Sequence, residues 1–554
     1  MKGIKMKKIS NYIICGLFFV TLNNCADFLD RDPSNSLSKG EVWKSDEYAV
    51  NAVNGGLYKV ANQDYALQGY GVRFSSWGPD GFNYFYSSSM ETGVATPSES
   101  FFLNFYAGWY NMIRVANEII YNLDGNEYIT SDLRERLTAE AKYFRGMGHF
   151  LLWHFFKDVV IRDKPLPPNE TNLPKSSAEQ VLAFCRQDFK DASEVLPVDY
   201  DANEWGRITK GAAITMLGKT YLYNKEWGLA ATEFKKLLSS PYTYDLHPNY
   251  AELFDWKTEK NEEVVQSLQY VGVTDYGSGY DTWYGTRSNN SYGGAECVAS
   301  YATMANYTHK DGTAINFSTR PKRLDYSDEE SYGVDLMNWY SNLLNSGDLD
   351  KRLTANIIMP TTLFQGKDNA WFELYWPYAA YANRQSEPYA LRLEFSNYAL
   401  LPWRKLVNVG TENSKGSPND FPLIRFADVL LMYAEAENED VGPTSDVYNA
   451  INRVRERAGL DPLPSGLSSS QMQRAIRLER LREFPGEGHL FLDVRRWGLA
   501  HTSDPVFGLN NDVLDFRGEK LFTRVFPQKY YEWPIPQADL EINKAIVQNP
   551  LWEE

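Results

Sequence analysis

Three segments of this chain place aromatic side chains beside hydrogen-bonding residues, in stretches that resemble loops more than helices. They are residues 75–86, 280–290 and 371–378. An aromatic ring offers an apolar face, and Asn, Asp and Arg side chains offer donors and acceptors. A sugar ring has the complementary surfaces, an apolar C–H face and a polar rim. The chemistry that these segments predict is therefore the capture of a ligand by stacking and hydrogen bonding.

The segment 280–290 ranks first, because it combines stacking and hydrogen-bonding groups within an irregular part of the chain. Its candidate ligand-binding residues are Asp281, Trp283, Tyr284, Arg287 and Asn289. The other two segments contribute the candidates Trp77, Asp80, Asn83, Tyr84 and Trp376. The alternative for each aromatic residue is packing within the fold. The alternating pattern of residues 371–378 is typical of a strand and favours that alternative there.

Catalytic and metal-binding patterns are weak. The six histidines include His149 and His154, which are five residues apart rather than the four of a helical metal pair. The sequence has neither a Gly-x-Ser-x-Gly nucleophile motif nor a phosphate-binding glycine loop. A glycoside hydrolase is the enzymatic alternative, because its two carboxylates are defined by distance in space and the chain has 72 acidic residues. We predict a non-catalytic protein without a cofactor, and the sequence predicts no metal-binding residues, although it does not decide whether a calcium ion is bound.

The N-terminus has the pattern of an export signal. Four lysines lie within the first eight residues, an apolar run extends from Ile9 to Val20, and polar sequence begins after Cys25. This run is shorter than the roughly 20 residues of a membrane span. Because Cys25 stands three residues after Leu22, the segment resembles a bacterial lipobox, which predicts a signal peptide over 1–24 and a lipid on Cys25. A plain signal peptide is the alternative, and Asn24 favours it.

The charge of the chain excludes one class of partner. The 554 residues include 56 basic and 72 acidic side chains, and removal of residues 1–24 leaves 52 basic and 72 acidic, a net charge of −20. Proteins that bind nucleic acid carry a basic surface, so we predict no nucleic-acid binding. The same charge disfavours electrostatic attachment to anionic lipid. Membrane attachment would then depend on acyl chains.

Helical periodicity dominates two blocks of the sequence. The predicted helices cover residues 46–60, 105–123, 133–156, 177–195, 208–224, 227–239, 423–439, 444–458, 471–483 and 491–497. The pair 208–224 and 227–239 carries Leu217-Gly218-x-x-Tyr221, Ala230-x-x-x-Phe234 and Pro241, which is close to the tetratricopeptide signature. Small residues at Gly218 and Ala230 would let the two helices approach. We predict a mainly α fold.

The chain divides into four parts on this basis. After the signal peptide (1–24), a helical part covers 25–240, and an irregular insertion with short strands, such as 263–268, covers 241–420. A C-terminal helical part covers 421–554, and all three are expected to form one compact unit. Insertions in helical repeat proteins often form the binding face, so the insertion is the expected ligand-binding part.

Several side chains have a structural interpretation instead. Cys185 and Cys297 are the cysteines left after the signal peptide and Cys25. One disulfide between them is an open alternative, but Cys185, within a helical pattern, is predicted to be a buried free thiol. Arg425, Arg495 and Arg496 are predicted to form ion pairs with Glu435, Glu437 and Glu483 rather than an anion site. Trp497 and Trp533 are predicted to lie in the core.

Motifs spread along the whole mature chain resemble one family. They are Cys25-Ala26-Asp27-Phe28-Leu29-Asp30, Phe421-Pro422-Leu423-Ile424-Arg425-Phe426-Ala427-Asp428, Ile451-Asn452-x-Val454-Arg455-x-Arg457-Ala458-Gly459, Glu479-Arg480-x-x-Glu483-Phe484, Gly488-His489-x-Phe491-x-Asp493-x-Arg495-Arg496-Trp497-Gly498, and Trp533-Pro534-Ile535-Pro536. Together they are similar to the SusD/RagB outer-membrane nutrient-binding lipoproteins of Bacteroidetes. The middle third of the chain matches least.

The resemblance implies a fold, a location and a partner. Proteins of this family have tetratricopeptide-like helix pairs that support an irregular ligand-binding half, anchored to the cell surface by a lipid. They cover a TonB-dependent transporter of the SusC type in the outer membrane. The resemblance implies capture of an oligosaccharide or polysaccharide, or less often a peptide, and its delivery to that transporter. No catalysis is implied.

Overall fold

The computed structural model describes residues 39–83, 88–167, 170, 172–273, 276–289, 293–378, 385–391, 399–408 and 416–553. The predicted signal peptide, Cys25 and Tyr84 lie outside these residues. Within the described part of the chain, no helix is long and apolar enough to cross a membrane.

The predicted mainly α fold is confirmed. In chain order the α-helices are α1 (Lys39–Val42), α2 (Asp46–Val53), α3 (Lys59–Ala61), α4 (Gly69–Trp77), α5 (Ser89–Thr92), α6 (Ser100–Leu123), α7 (Ser131–Phe156), α8 (Ala178–Val195), α9 (Lys210–Tyr223), α10 (Trp227–Lys236), α11 (Tyr280–Trp283), α12 (Tyr301–Asn306), α13 (Glu329–Leu344), α14 (Arg352–Asn356), α15 (Phe426–Asp440), α16 (Ser445–Arg457), α17 (Ser469–Glu483), α18 (His489–Arg496) and α19 (Gln537–Ile542).

Within the described residues the strands are short and form four small sheets. They are β1 (Gly81–Asn83), β2 (Val264–Leu268), β3 (Cys297–Ala299), β4 (Leu363–Gln365), β5 (Trp371–Glu373), β6 (Tyr389–Ala390), β7 (Phe421–Arg425), β8 (Asp512–Leu514) and β9 (Lys520–Thr523). Antiparallel pairs join β1 with β3, β2 with β7, and β8 with β9. In the remaining sheet, β5 lies between antiparallel β4 and parallel β6.

The tetratricopeptide-like pair forms as predicted. Helices α9 and α10 pack against each other, and a Cβ atom at Gly218 would lie only 2.6 Å from the ring of Phe234. The absence of a side chain at Gly218 is therefore what allows this close approach. Helix α8 begins at the predicted N-cap Ser177, whose hydroxyl accepts a hydrogen bond from the Gln180 backbone N–H in a capping box.

Two of the predicted helices differ from the structure. The helix predicted over 46–60 changes to a π-helical turn at Asn54–Tyr58, where Gly55 and Gly56 weaken the α-helical preference. The helix predicted over 423–439 begins only at Phe426, because residues 421–425 form the buried strand β7 beside β2. A short apolar run does not distinguish a buried strand from a buried helix.

An aromatic core joins the N-terminal helices to the C-terminal segment. The ring of Trp533 is buried, with its centroid 4.1 Å from that of Phe155 on α7, and it stacks on Trp109 of α6 at 6.4 Å. The prediction that Trp533 lies in the core is confirmed. Trp497 is only partly buried, and its indole N–H donates to Glu435 at 2.8 Å.

Both described cysteines are buried free thiols. Cys185 lies within α8, as predicted, and Cys297 begins β3. Burial raises the pKa of both thiols, that of Cys297 to about 12. Neither side chain is therefore a reactive thiolate near neutral pH.

A buried ionic network holds the insertion against the C-terminal helices. The carboxylate of Glu483, at the end of α17, accepts hydrogen bonds from Arg352 (2.9 Å), Arg425 (2.9 Å) and Arg457 (2.5 Å). The Arg425 guanidinium also bonds Glu487 at 2.7 Å. Because a buried charge is costly unless it is paired, each arginine depends on these carboxylates and each carboxylate on the arginines.

The predicted ion pairs are confirmed for two of the three arginines. Arg425 pairs with Glu483, and Arg496 pairs with Glu435 at 2.6 Å. The prediction is wrong for Arg495, whose guanidinium donates to the backbone carbonyl of Tyr531 at 2.9 Å and lies 4.6 Å from the ring centroid of Phe155. Burial without a carboxylate lowers the pKa of Arg495 to about 9.

Replacement of Arg425 by Met should destabilise the protein by about 3–5 kcal/mol, because it leaves buried carboxylates without their partner. Chemical unfolding followed by circular dichroism measures this loss. Lys235→Met is the matched control, since the Lys235–Asp446 pair is exposed and spans 3.1 Å. That variant should unfold at nearly the wild-type midpoint. Equal midpoints for Arg425→Met and wild type would contradict the role of the network.

The network also predicts acid sensitivity. Burial alone would raise the pKa of Glu483, but the attraction of Arg457, Arg425 and Arg352 is stronger and holds this pKa well below its usual 4.5. The unfolded chain therefore binds a proton here that the folded chain does not, so stability decreases as the pH falls through about 4.5 and below. In unfolding curves from pH 7 to pH 3, Glu483→Gln should be less stable than wild type at pH 7 and lose less on acidification. An identical pH dependence in the two proteins would count against this explanation.

Candidate functional site: an amide-lined cavity

A cavity of about 590 Å³ opens between the N-terminal helices and strand β2. One wall is the π-helical turn Asn54–Tyr58, which continues through α3 to residues 62–63. The opposite wall consists of residues 203–208 and of the chain from β2 to residue 270. The cavity thus lies where the predicted N-terminal part meets the predicted insertion. Single π-helical turns occur frequently at functional sites.

Primary amides are the main polar groups of this cavity. Seven of them contribute to the lining: Asn54, Asn62, Gln63, Gln68, Asn203, Gln266 and Gln269. Each amide carries a carbonyl acceptor and an NH₂ donor but no charge. Aromatic rings of Tyr58, Phe144, Trp205, Tyr270 and Tyr276 complete the lining. Three of these amides are bonded within the protein: Asn62 donates to the Gln269 carbonyl at 3.0 Å, Gln266 accepts from the Tyr143 hydroxyl, and Gln269 pairs with Trp205. The other polar groups of the lining can bond a neutral ligand that bears hydroxyl groups and an apolar face.

Trp205 and Gln269 hold one wall in place. The Gln269 amide, oriented so that both of its polar atoms are bonded, donates to the Trp205 carbonyl at 3.0 Å and accepts from the indole Nε1 at 3.1 Å. It lies directly over Gly206, where a Cβ atom would come within 1.9 Å of the Gln269 side chain. Gly206 also has φ +90°, in the left-handed region that favours glycine. A side chain at position 206 would therefore disrupt this wall.

Tyr276 stands at the mouth of the cavity and is the most exposed of its aromatic residues. Its side chain is 64% exposed. The backbone is nevertheless fixed, because the Tyr276 N–H donates to the Val273 carbonyl and its own carbonyl accepts from the Val271 N–H, both at 3.1 Å. A solvent-facing ring on a bonded backbone is suited to stack on a ligand.

Two of the three charged residues that line the cavity compensate each other, and the third, Lys59, is exposed. Arg207 pairs with Glu140 at 3.1 Å and with Glu204 at 3.1 Å, and the Tyr58 hydroxyl donates to Glu140 at 2.9 Å. Burial raises the pKa of Glu140, and the charge of Arg207 opposes that shift. Among the residues that line the cavity, Glu204 is the sole carboxylate. The pair of carboxylates that glycoside hydrolysis uses is not present in this lining.

The first aromatic segment of the sequence supplies structural residues. Trp77 ends helix α4 rather than lying in a loop, and its buried ring contacts those of Phe101 and Trp533. Asp80 is buried and accepts the Gly486 backbone N–H at 2.9 Å, while burial raises its pKa to about 6. Neither side chain presents a surface to a ligand. Asn83, half-buried at the end of β1, donates its backbone N–H to Glu91 at 3.1 Å.

The described residues 280–289 also pack mostly inward. Tyr284 is fully buried, and its hydroxyl donates to the Gly486 carbonyl at 2.8 Å. Asp281 is buried and accepts the Asn408 backbone N–H at 2.8 Å. Asn289 is buried and accepts the Thr286 backbone N–H at 2.8 Å. Their hydrogen-bonding groups therefore shape the fold. Polar composition does not distinguish a loop from a buried turn, because buried turns also need hydrogen-bonding side chains.

The remaining candidates are Trp283 and Arg287 of the same segment and Trp376 of the third segment. Trp283 and Arg287 are only partly buried, so their role in ligand binding stays a prediction. Trp376 is buried, with its ring 5.5 Å from Tyr332 and the Arg517 guanidinium 4.7 Å from its centroid. Strand β5 begins this segment, as its alternation indicated. The described residues include no group of three or more His, Cys, Asp or Glu side chains that could hold a metal ion.

The cavity residues were missed in the sequence. Apolar periodicity located the helix predicted over residues 46–60, but it carries no information about exposed Asn54 within it or about Asn62 and Gln63, which follow the end of α3. A concentration of uncharged amides at the end of a helix that contains Gly-Gly is the signal that could have indicated them. The contribution of Trp205 depends on the distant Gln269, and no local pattern shows that contact.

The close approach at position 206 is testable. Gly206→Ala should lower the free energy of unfolding by about 2–3 kcal/mol, because it combines backbone strain with a clash against Gln269. Gly125→Ala is the matched control, since Gly125 also has positive φ but a Cβ atom there would have no neighbour within 4 Å. It should cost about 1 kcal/mol. Adding Gln269→Ala to Gly206→Ala should recover part of the loss, and equal losses in the two single variants would refute the clash.

Known proteins of one kind are similar to this chain along almost its whole length. A sequence model of the SusD family matches residues 262–552, and a model described as starch-binding associating with outer membrane matches residues 27–222. SusD-like protein P25 of Formosa agariphila is 25% identical, and the match covers 98% of each chain. The starch-binding protein SusD of Bacteroides thetaiotaomicron is 22% identical over 77% of this chain and 75% of its own.

Solved structures share the fold. A SusD-like protein of Bacteroides fragilis superimposes with a TM-score of 0.76 at 19% identity, covering 94% of this chain and 100% of that one. A laminarin-binding SusD-like protein gives a TM-score of 0.63 at 22% identity, covering 92% and 99%. Since the SusD family model alone matches just over half of the residues, the chain belongs to the SusD family.

Proposed function

We propose that this protein binds an oligosaccharide or polysaccharide at the cell surface, without cleaving it, and that the amide-lined cavity is where a neutral part of the glycan binds. The observation that carries the proposal is the lining itself, with seven uncharged amides beside the rings of Trp205 and Tyr276. The relatives named for starch and laminarin binding support a carbohydrate as the ligand class. The lack of a carboxylate pair in the lining supports binding without hydrolysis.

The proposal extends to location and partner. The family model over residues 27–222 is described by association with the outer membrane, and the lipobox-like segment that ends at Cys25 offers a lipid anchor there. A lipid-anchored protein that only binds glycan would need a transporter to use it. We infer a SusC-like TonB-dependent transporter as that partner, to which the bound glycan is delivered.

Tyr276→Ala should weaken binding of the cognate neutral glycan about tenfold or more, through loss of the ring at the mouth of the cavity. Affinity electrophoresis in gels that contain starch, laminarin or other neutral glycans, followed by isothermal titration calorimetry, measures the change. Tyr121→Ala is the matched control, because Tyr121 is 69% exposed on α6, away from the cavity. Wild-type affinity in Tyr276→Ala would reject the cavity as the site.

The proposal that the protein does not cleave its ligand needs a measurement of its own. Incubation with the bound glycan should leave its chain length unchanged by chromatography, and shorter products would favour the glycoside hydrolase alternative. Binding of a peptide but of no glycan would favour the alternative of a peptide nutrient.

Cys25→Ser should release the protein from the outer-membrane fraction and reduce co-purification with the transporter. Retention of that variant in the membrane fraction would contradict the lipid anchor.

A further inference from the structure

A second cleft, which shares no lining residue with the amide-lined cavity, lies between residues 251–257 and the sheet β4–β5–β6. It has a volume of about 340 Å³. The buried rings of Phe254 and Phe364 contribute to its floor, and Trp256 and Trp371 to its rim. Both tryptophans are 44% exposed. Two partly exposed indoles in one cleft form an apolar surface that packing inside the protein does not explain.

The two indoles are held on ordered backbone. Trp371 lies on β5, directly opposite Gln365 of β4, with both side chains exposed while the next residue, Phe372, is buried. Trp256 lies in a turn that Asp255 fixes: its carboxylate accepts the Lys257 N–H at 3.0 Å, and its carbonyl accepts the Thr258 N–H at 2.9 Å. The cleft therefore presents an aromatic face beside an amide without rearrangement.

The charge of this cleft is opposite to that of the whole chain. Arg404 is exposed, and its guanidinium makes one long hydrogen bond, to the Thr354 carbonyl at 3.5 Å. The Lys257 ammonium lies 5.7 Å from the Trp256 ring centroid. Neither cation forms an ion pair with a carboxylate of the described residues. Buried Lys405, by contrast, is neutralised by Glu487 at 2.5 Å. The lining also contains the carboxylate of Asp255, which bonds the Lys257 backbone N–H, so Arg404 and Lys257 together leave the cleft with a net positive charge. In a chain with 16 more acidic than basic residues, this local positive charge beside exposed indoles indicates an anionic ligand.

We propose that this second cleft binds an anionic saccharide. Trp256 and Trp371 contact the faces of sugar rings, the Gln365 amide bonds hydroxyl groups, and Arg404 with Lys257 binds the negative group of the sugar. A guanidinium can bind a carboxylate or a sulfate through two parallel hydrogen bonds. The ligand class is therefore a glycan that carries uronate or sulfate groups. This cleft goes beyond the neutral site proposed above and is independent of it.

The test is calorimetric titration of the full chain with three probes: oligogalacturonate for the carboxylate, carrageenan oligosaccharide for the sulfate, and laminarin as the neutral glycan. We expect wild type to bind one of the anionic probes, more weakly at about 0.5 M than at about 0.05 M NaCl. Trp371→Ala and Arg404→Gln should each weaken that binding about tenfold or more. Because both side chains are exposed, their unfolding midpoints should match that of wild type.

Matched variants separate this site from the amide-lined cavity. Tyr121→Ala and Lys190→Gln, at exposed positions of α6 and α8, should bind the anionic probe like wild type. Tyr276→Ala should also retain it, so that failure of the neutral site leaves this result unaffected. The proposal is overturned if wild type binds neither anionic probe, or if the Trp371 and Arg404 variants bind it unchanged. Equal affinity for laminarin at this cleft would also overturn it.

Discussion

One buried carboxylate determines how the parts of this protein meet. Glu483 is the last residue of α17, and the arginines that bind it stand at other ends: Arg352 begins α14, Arg425 ends β7 and Arg457 ends α16. A buried charge must be neutralised at short distance. The start of α14 and the ends of β7, α16 and α17 therefore lie where these four side chains meet. Hydrophobic packing is non-directional. The network adds the directional constraint that fixes the insertion on the C-terminal helices.

This network explains why the two proposed binding surfaces lie at junctions between parts of the chain. The amide-lined cavity opens where the N-terminal helices meet β2, and β2 is held by pairing with β7, which ends at Arg425. The second cleft is bordered by Arg404, whose neighbour Lys405 belongs to the same network through Glu487. In both places a fixed buried layer carries polar and aromatic side chains outward. Orientation of these groups therefore requires little ordering when a ligand binds.

The sequence predicted the helices, the tetratricopeptide-like pair and the family well, but it did not predict which of the candidate binding residues are buried. Periodicity locates a helix because it is a local property, and Gly218 beside Phe234 follows from the spacing of one helix pair. The roles of Tyr284 and Asp80 are not local. Both bond the same turn at Gly486, some 200 and 400 residues away along the chain. Polar residues near aromatics are needed for buried turns as much as for ligands, and composition alone does not separate the two uses. Trp205 and Gln269 are the opposite case: both line the amide-lined cavity, but no local pattern marks them, because only folding brings them together.

The burial of both thiols affects what this protein requires for folding. The described fold contains no disulfide, and Cys185 and Cys297 are shielded by packing with pKa values far above neutral pH. Thiolates are the species that oxidants and disulfide-exchange enzymes attack, so these residues offer them almost none. Folding of the described part can then proceed without an oxidant in any compartment. A cysteine placed on its surface would be the single reactive thiol there, available for attaching a fluorophore or spin label at a chosen position.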